Sequence, residues 1–514
     1  MPRDRAGLPG CEHGIAPDEL RPAVAGPRVE GKATQQARTR RLTLRSDVRY
    51  PLAEGVSGVR RGGHRMQGGS RSGDTMTNES FDRRAGEGQF GLYDQSVRKR
   101  ENAYTGKYLV LLDCQEEERG MAALRSQAGI ASAEPVRGAE AESAVRVFGA
   151  PDVNALFPEL GVAVVDVAPD QREALVTAAQ QEPAVIAAEP ERLVYISTIT
   201  DRTPEVTGYY PTYRSDEDVL ERHTTAAMAV SLGPAWDETE HTWGLQAVRA
   251  NHSPLTGQGV GVAVLDTGVD TAHPDLTAHI AGTASFVPGQ SAQDGNGHGT
   301  HCIGTAAGPA QPQHGPRYGV APEAQILAGK VLSNQGSGSD GQILAGIAWA
   351  LSQGAKVISM SLGAPVGAGQ LFSPVFESLA KRVITAGTLI VAAAGNDGGP
   401  VNHPANCPSI LAVAALGKAL DVAPFSCRGQ GLVGAEINIA APGVDVRSAW
   451  PMPQVYNTIS GTSMATPHIA GIVALLAQGA PEATASELSK RLLSGAYRLA
   501  QPPASVGAGL GQTP

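Results

Sequence analysis

From Trp243 onward the chain alternates near-continuous apolar runs with helical segments. GVGVAVLD (259–266), AQILAGKVL (324–332), KVISMSLG (356–363), LIVAAAGN (389–396) and SILAVAAL (409–416) lack the alternating polar positions of a half-exposed strand. Each therefore reads as a strand covered on both faces. QILAGIAWALSQG and VFESLAKRVITAG supply intervening helices. The pattern predicts an α/β domain with a mostly parallel sheet over 243–514. No window approaches the roughly 18 consecutive apolar residues of a membrane span.

A second texture precedes it. KYLVLLD, a strand near RVFGAPDVNALF, VAVVDVA and ERLVYI read as strands, while ERGMAALRSQAGI and DQREALVTAAQQEP read as helices. Their β-α-β-β-α-β order predicts a small ferredoxin-like α+β unit over 105–198. Residues 199–242 are polar and rich in Pro, Gly and Tyr, and read as a linker. Residues 1–104 show no sustained period and are expected to be a disordered tail or a misassigned start, with Met66 and Met76 as other candidate starts.

Charge narrows the function classes. The chain has net charge −9, yet residues 1–100 hold 19 Lys and Arg against 12 Asp and Glu. The remainder is strongly acidic, which argues against nucleic acid as the main partner, since phosphate binding needs a basic face. Five cysteines (Cys11, Cys114, Cys302, Cys407, Cys427) without CxxC spacing indicate neither a zinc site nor a disulfide framework. The first residues carry no apolar segment of the kind that opens a secretory signal, so the sequence leaves localisation open between the cytoplasm and an unusual export route.

In open α/β sheets the site lies beyond the carboxyl ends of the strands. Asp266 closes GVGVAVLD, Ser361 to Gly363 close KVISMSLG, and Asn396 closes LIVAAAGN. DGNGHGTHCIG (294–304) delivers His298 to the start of a predicted helix, and SGTSMATPHIAG (460–471) delivers Ser463 to the start of another. A serine hydroxyl needs a base to become a nucleophile, and the base needs a carboxylate that fixes its tautomer. The helix N-terminus is expected to disfavour the imidazolium of His298. Gly461 allows close backbone approach, and Pro467 is expected in the first turn of its helix. His301 and His468 read as structural. DTG at 266–268 also occurs in aspartic proteases, but that chemistry needs two carboxylates sharing a proton, and the chain has a single DTG.

Five pieces, VAVLDTGVDTAHPDL, GNGHGTHCIGTAAG, ISMSLGAP, VAAAGNDG and SGTSMATPHIAG, carry a resemblance to the subtilisin-like serine proteases (subtilases, peptidase S8) over about 243–511. The resemblance implies a subtilisin-like fold and a serine endopeptidase with the triad Asp266, His298 and Ser463. It implies an oxyanion hole from the Asn396 amide and the Ser463 N–H. Substrate would bind as an added strand, with Ser361, Leu362 and Gly363 on one wall of the P1 pocket and Ala393, Ala394 and Gly395 on the other. Asp397 would add an acidic rim, giving apolar P1 residues with some room for basic ones, and Asp340 would fall at the P4 pocket.

The resemblance also makes 105–198 an inhibitor I9-like propeptide, an intramolecular inhibitor removed by autoprocessing of a zymogen somewhere in 199–242. A monomer acting on peptide or protein substrates follows, with no membrane span. No cofactor is expected to be required. Asp275 in HPDL matches a family calcium ligand, but PAQPQHGPRYG replaces the Asn-rich loop that supplies the others. The reading from another class is a catalytically silent, chaperone-like binding protein held by an uncleaved propeptide domain.

Overall fold

The structure, a computed structural model, describes residues 103–138, 148, 153–196, 234–367, 369–431 and 434–514. The expectations for the N-terminal tail up to residue 102 and for 197–233 of the linker lie outside the described residues.

The first unit comprises β1 (Tyr104–Leu112), α1 (Glu117–Ala128), β2 (Ala133–Pro135), β3 (Asn154–Phe157), β4 (Val162–Asp166), α2 (Arg172–Gln181) and β5 (Val185–Ile196). Its strands lie in the order β5-β1-β4-β3-β2, with β1 antiparallel to both β4 and β5. Alternation along β1 and β4 assigns each face its own core. Val110, Leu112, Ala163 and Val165 pack with Leu124 and Leu175 of the unit's own helices. Leu109, Leu111, Val162 and Val164 join the core of the larger domain instead.

The larger domain follows as α3 (Trp243–Ala247), β6 (Gly261–Asp266), β7 (Ile280–Ser285), α4 (His298–Ala307), β8 (Gln325–Lys330), β9 (Ser337–Ser339), α5 (Asp340–Ser352), β10 (Val357–Met360), β11 (Leu362–Gly363), α6 (Pro374–Thr385), β12 (Leu389–Ala393), β13 (Leu411–Leu416), β14 (Ile439–Pro442), the hairpin β15 (Val446–Ala449) and β16 (Tyr456–Ile459), α7 (Thr462–Gly479) and α8 (Ala485–Gly495). Seven strands in the order β14-β13-β12-β10-β6-β8-β7 form a sheet in which every pairing is parallel. The apolar runs occupy its centre because helices cover both faces, and every residue of β6, β10, β12 and β13 is buried. Residues 234–242 already belong to this domain's surface, since Trp236 Nε1 donates to Lys418 O at 2.8 Å and its ring packs on Trp243.

Strand β5 belongs to both units. Its first part pairs with β1, and its end is sandwiched antiparallel between β9 and β11, with Val194 opposite Gly338, Tyr195 opposite Gly363 and Ile196 opposite Leu362. Two carboxylates on it meet helix N-termini, where unpaired N–H groups and the helix dipole favour negative charge. Glu191 Oε1 accepts from Gly341 N–H at the start of α5 (2.9 Å), and Glu189 accepts from the hydroxyl of Ser373, the N-cap of α6. Between them the Arg192 N–H donates to Asp340 Oδ2 at 3.0 Å.

The two-faced packing yields a first prediction. Leu124→Ala, at a fully buried position of the smaller core, should cost about 2–5 kcal/mol. In a Ser463→Ala background, hydrogen exchange should then accelerate over 104–112 and 162–166 while β12 is unchanged. Equal exchange in both chains would contradict the assignment of separate cores.

Candidate active site

Three element ends meet at the carboxyl edge of the parallel sheet. Asp266 is the last residue of β6, His298 the first of α4, and Ser463 the second of α7. Asp266 Oδ1 lies 2.7 Å from His298 Nδ1 and also accepts the Thr267 N–H at 2.7 Å, with both side chains buried. The carboxylate thus fixes the proton on Nδ1 and leaves the Nε2 lone pair as the basic site. His298 Nε2 is buried and makes no hydrogen bond among the described residues.

A carboxylate not singled out in the sequence holds the histidine loop. Asp294 accepts five hydrogen bonds: from Asn296 N and Gly297 N at 2.9 Å, from Thr267 Oγ1 at 2.9 Å, and from Thr300 N and Oγ1 at 2.9 and 2.7 Å. Thr267 Oγ1 in turn accepts from Gly299 N at 2.8 Å. The turn needs glycine at 297, where φ is +107° and a Cβ would stand 2.4 Å from the Trp450 ring. The only sequence signal for Asp294 was an Asp-Gly turn ahead of a helix. Lys330, fully buried at the end of β8, donates to Thr267 O and, at 2.8 Å, to Asn334 Oδ1, bracing the same turn from behind.

Ser463 Oγ donates to Ser361 O at 3.2 Å, so the nucleophile lies against the strand-end segment 361–363. Pro467 is the sixth residue of α7, not part of its first turn as the sequence suggested. Without an N–H it leaves the Ser463 carbonyl, four residues back, short of its helical donor. Ser361 Oγ (2.8 Å) and the Cys302 thiol (3.5 Å) donate to that carbonyl instead. The break in the helix ladder is thereby converted into contacts that anchor the serine.

Asn396 follows β12. Its Oδ1 accepts from Thr462 N (2.9 Å) and Thr462 Oγ1 (2.8 Å), which fixes the orientation of the amide. The buried Nδ2 is left without a partner among the described residues, beside the start of the serine helix. Thr462 was not identified from sequence, although it directly precedes the serine. Its hydroxyl also accepts from Gly395 N at 3.2 Å.

Proton affinities follow from these contacts. Burial opposes a charge on His298, but the Asp266 carboxylate against Nδ1 overrides it and holds the pKa well above the ordinary 6.5. This corrects the expectation from the helix N-terminus: a carboxylate at 2.7 Å outweighs a backbone dipole. Burial pushes the Cys302 thiol up, so it sits beside His298 Nδ1 (3.9 Å) as a neutral group. Burial lowers His301 to about 3 and His468 to about 4. Their ring nitrogens bond the carbonyls of Val446 and Met464 at 3.0 and 2.8 Å, so both are neutral packing groups.

Two further carboxylates raised by the sequence are held by polar neighbours. Asp340 is fully buried at the start of α5, where His403 Nε2 lies 2.9 Å from its carboxylate and Arg192 approaches at 3.6 Å. The Asp275 carboxylate accepts from Gln313 N, Tyr318 OH and Tyr456 OH, each at 2.8 Å. No helix among the described residues is long and apolar enough to cross a membrane.

Comparison with known proteins agrees with this geometry. Residues 257–511 match the subtilase family (Peptidase S8). Subtilisin Savinase of Lederbergia lenta is 46% identical over 244 residues, which are 46% of this chain and 85% of the relative. Subtilisin of Bacillus pumilus is 40% identical over 267 residues, 50% of this chain and 92% of the relative. M-protease of Shouchella clausii (strain KSM-K16) is 46% identical over 244 residues, 46% of this chain and only 60% of the relative's length. A buried Asp–His pair, a serine at a helix start and an oriented asparagine amide thus stand in a domain with this relatedness: the chain belongs to the subtilase family, and its larger domain is a serine endopeptidase domain.

Proposed function

We propose that the larger domain cleaves peptide bonds through an acyl-enzyme on Ser463, and that the chain is made as a zymogen whose 105–198 unit is its intramolecular inhibitor. The observation that carries the reading is the pair of buried atoms without a partner among the described residues, His298 Nε2 and Asn396 Nδ2, each side chain fixed from its other side by Asp266 or Thr462. A substrate strand takes the place that the end of β5 holds between β9 and β11. Ser463 Oγ attacks the carbonyl carbon while His298 Nε2 takes its proton, and Asp266 stabilises the imidazolium. Asn396 Nδ2 and the Ser463 N–H receive the oxyanion. His298 then protonates the leaving amine, and water repeats the sequence on the acyl ester.

This chemistry draws on no cofactor. The Asp275 carboxylate does not fit a calcium ligand here, because N–H and O–H donors surround it in place of further oxygen ligands. The inhibitor role of 105–198 is supported by β5 lying as the middle strand of the groove and by Glu189 and Glu191 at the two helix starts. The chain's own partners are then its substrate and this unit, with the processed enzyme acting as a monomer.

Three outcomes are expected. Mass spectrometry of the expressed chain should find wild type cut beyond Ile196 and Ser463→Ala whole; absence of a cut in both would favour the silent, chaperone-like protein. Asn396→Ala should lower kcat about 10²–10³-fold with KM little changed, a magnitude established on a subtilisin. Only neutral His298 accepts the serine proton, so its raised pKa means that activity falls on acidification through a value above 6.5. Asp266→Asn should move that limb of the kcat/KM profile to lower pH in the residual activity, whereas an unmoved limb would contradict the pairing.

A further inference from the structure

We infer that Asn402 forms the floor of the P1 pocket and selects an uncharged, hydrogen-bonding P1 side chain: an amide or a small hydroxyl. The inference rests on the reading of 361–363 and 393–395 as the two pocket walls. Asn402 stands where those walls are tied together. Its N–H donates to Ala394 O at 2.9 Å, and the next residue, His403, exchanges two backbone hydrogen bonds with Ala364 at 2.8 and 3.0 Å. Residues 402 and 403 thus tie the two segments together.

The side chain projects against both walls. A Cβ on Gly395 would lie 2.4 Å from Asn402 Nδ2 and 2.7 Å from its Cγ, and a Cβ on Gly363 would lie 3.6 Å from the Asn402 Cβ. Only 1% of Asn402 is exposed, yet both Oδ1 and Nδ2 lack a partner among the described residues. A buried amide with both of its polar atoms unpaired is costly and rare. Asn396, half-buried near this site with its Nδ2 shielded from solvent, has one amide atom satisfied and in the proposed reading reserves the other for the oxyanion.

A P1 side chain with one uncharged donor and one acceptor satisfies both Asn402 atoms. An apolar side chain would leave both unpaired, and that asymmetry gives discrimination. A cationic side chain would meet a neutral amide and have no carboxylate at the floor. Asp397, the acidic rim expected from sequence, is exposed, and its Oδ1 already accepts from the Cys427 thiol at 2.6 Å. The sequence directly after Ile196 is Ser-Thr-Ile-Thr, which offers hydroxyl side chains where self-cleavage is proposed.

The test uses processed enzyme and fluorogenic peptides identical except at P1, compared as kcat/KM ratios within each variant so that the active fraction cancels. Wild type should take Gln over the similarly sized Met, and Asn over Leu, by about tenfold or more. Asn402→Gly should reverse that order in favour of Leu and Phe. The isosteric Asn402→Asp should move the preference to Lys and Arg by a similar factor. A wild type that takes Leu and Phe over Asn and Gln, with the same order in both variants, overturns the inference while leaving the peptidase reading intact. An enzyme that cleaves no peptide at all, whatever its P1, removes the underlying reading and this inference with it.

Discussion

The 2.7 Å hydrogen bond between Asp266 and His298 is the constraint on which the rest of the site depends. It requires a carboxylate at the end of a buried strand and an imidazole at the start of a helix, 32 residues apart in sequence. The parallel sheet supplies the first, because β6 is an interior strand, paired with β10 and β8, and ends at the carboxyl edge. The Asp294 knot supplies the second by holding the loop that leads into α4 against Thr267. Serine and asparagine are then located relative to this pair through Ser361 and Thr462, so each reacting group is held by a neighbour that takes no part in the proposed chemistry.

The same carboxyl edge carries the groove. Segments 337–339 and 362–363 leave backbone groups available on both sides of a gap one strand wide, and β5 fills it. One continuous strand therefore links the smaller unit's own sheet to the approach to Ser463. The two buried glutamates on β5 stand at the starts of α5 and α6, where the helix dipole favours negative charge. In the proposed reading, inhibition and substrate binding use one set of backbone contacts and differ only in whether the strand is covalently part of the chain.

Much of this architecture was legible in the sequence, for identifiable reasons. β6, β10, β12 and β13 are covered on both faces, so they read as unbroken apolar runs. The strand β7 was not foreseen: IAGTAS lies at the sheet edge, is largely half-exposed and lacks such a run. The hairpin β15–β16 was missed because VRSA and YNTI also lack such a run, although β15 is largely buried. Asp266, His298, Ser463 and Asn396 stood out because each closes a strand or opens a helix beside glycine. Asp294 and Thr462 lie in the same motifs, but Thr462 takes its role from Asn396, 66 residues away, and Asp294 ties its own loop to Thr267, 27 residues back. Asn402 gave no local signal at all, since its position depends on two separate strand ends meeting. The pKa of His298 was misjudged because the helix-terminus argument was not weighed against the Asp266 carboxylate that the same reading had assigned to it.

The central claim is that Ser463 is made nucleophilic by His298 held on Asp266, and the most direct measurement is labelling of the processed chain with a fluorophosphonate, located by peptide mass spectrometry. The account predicts one label per chain, on the peptide containing Ser463, and its loss in both Ser463→Ala and His298→Ala chains that wild-type enzyme has first cut in trans. A processed chain that takes no label, or a Ser463 label that forms at the same rate without His298, would contradict it.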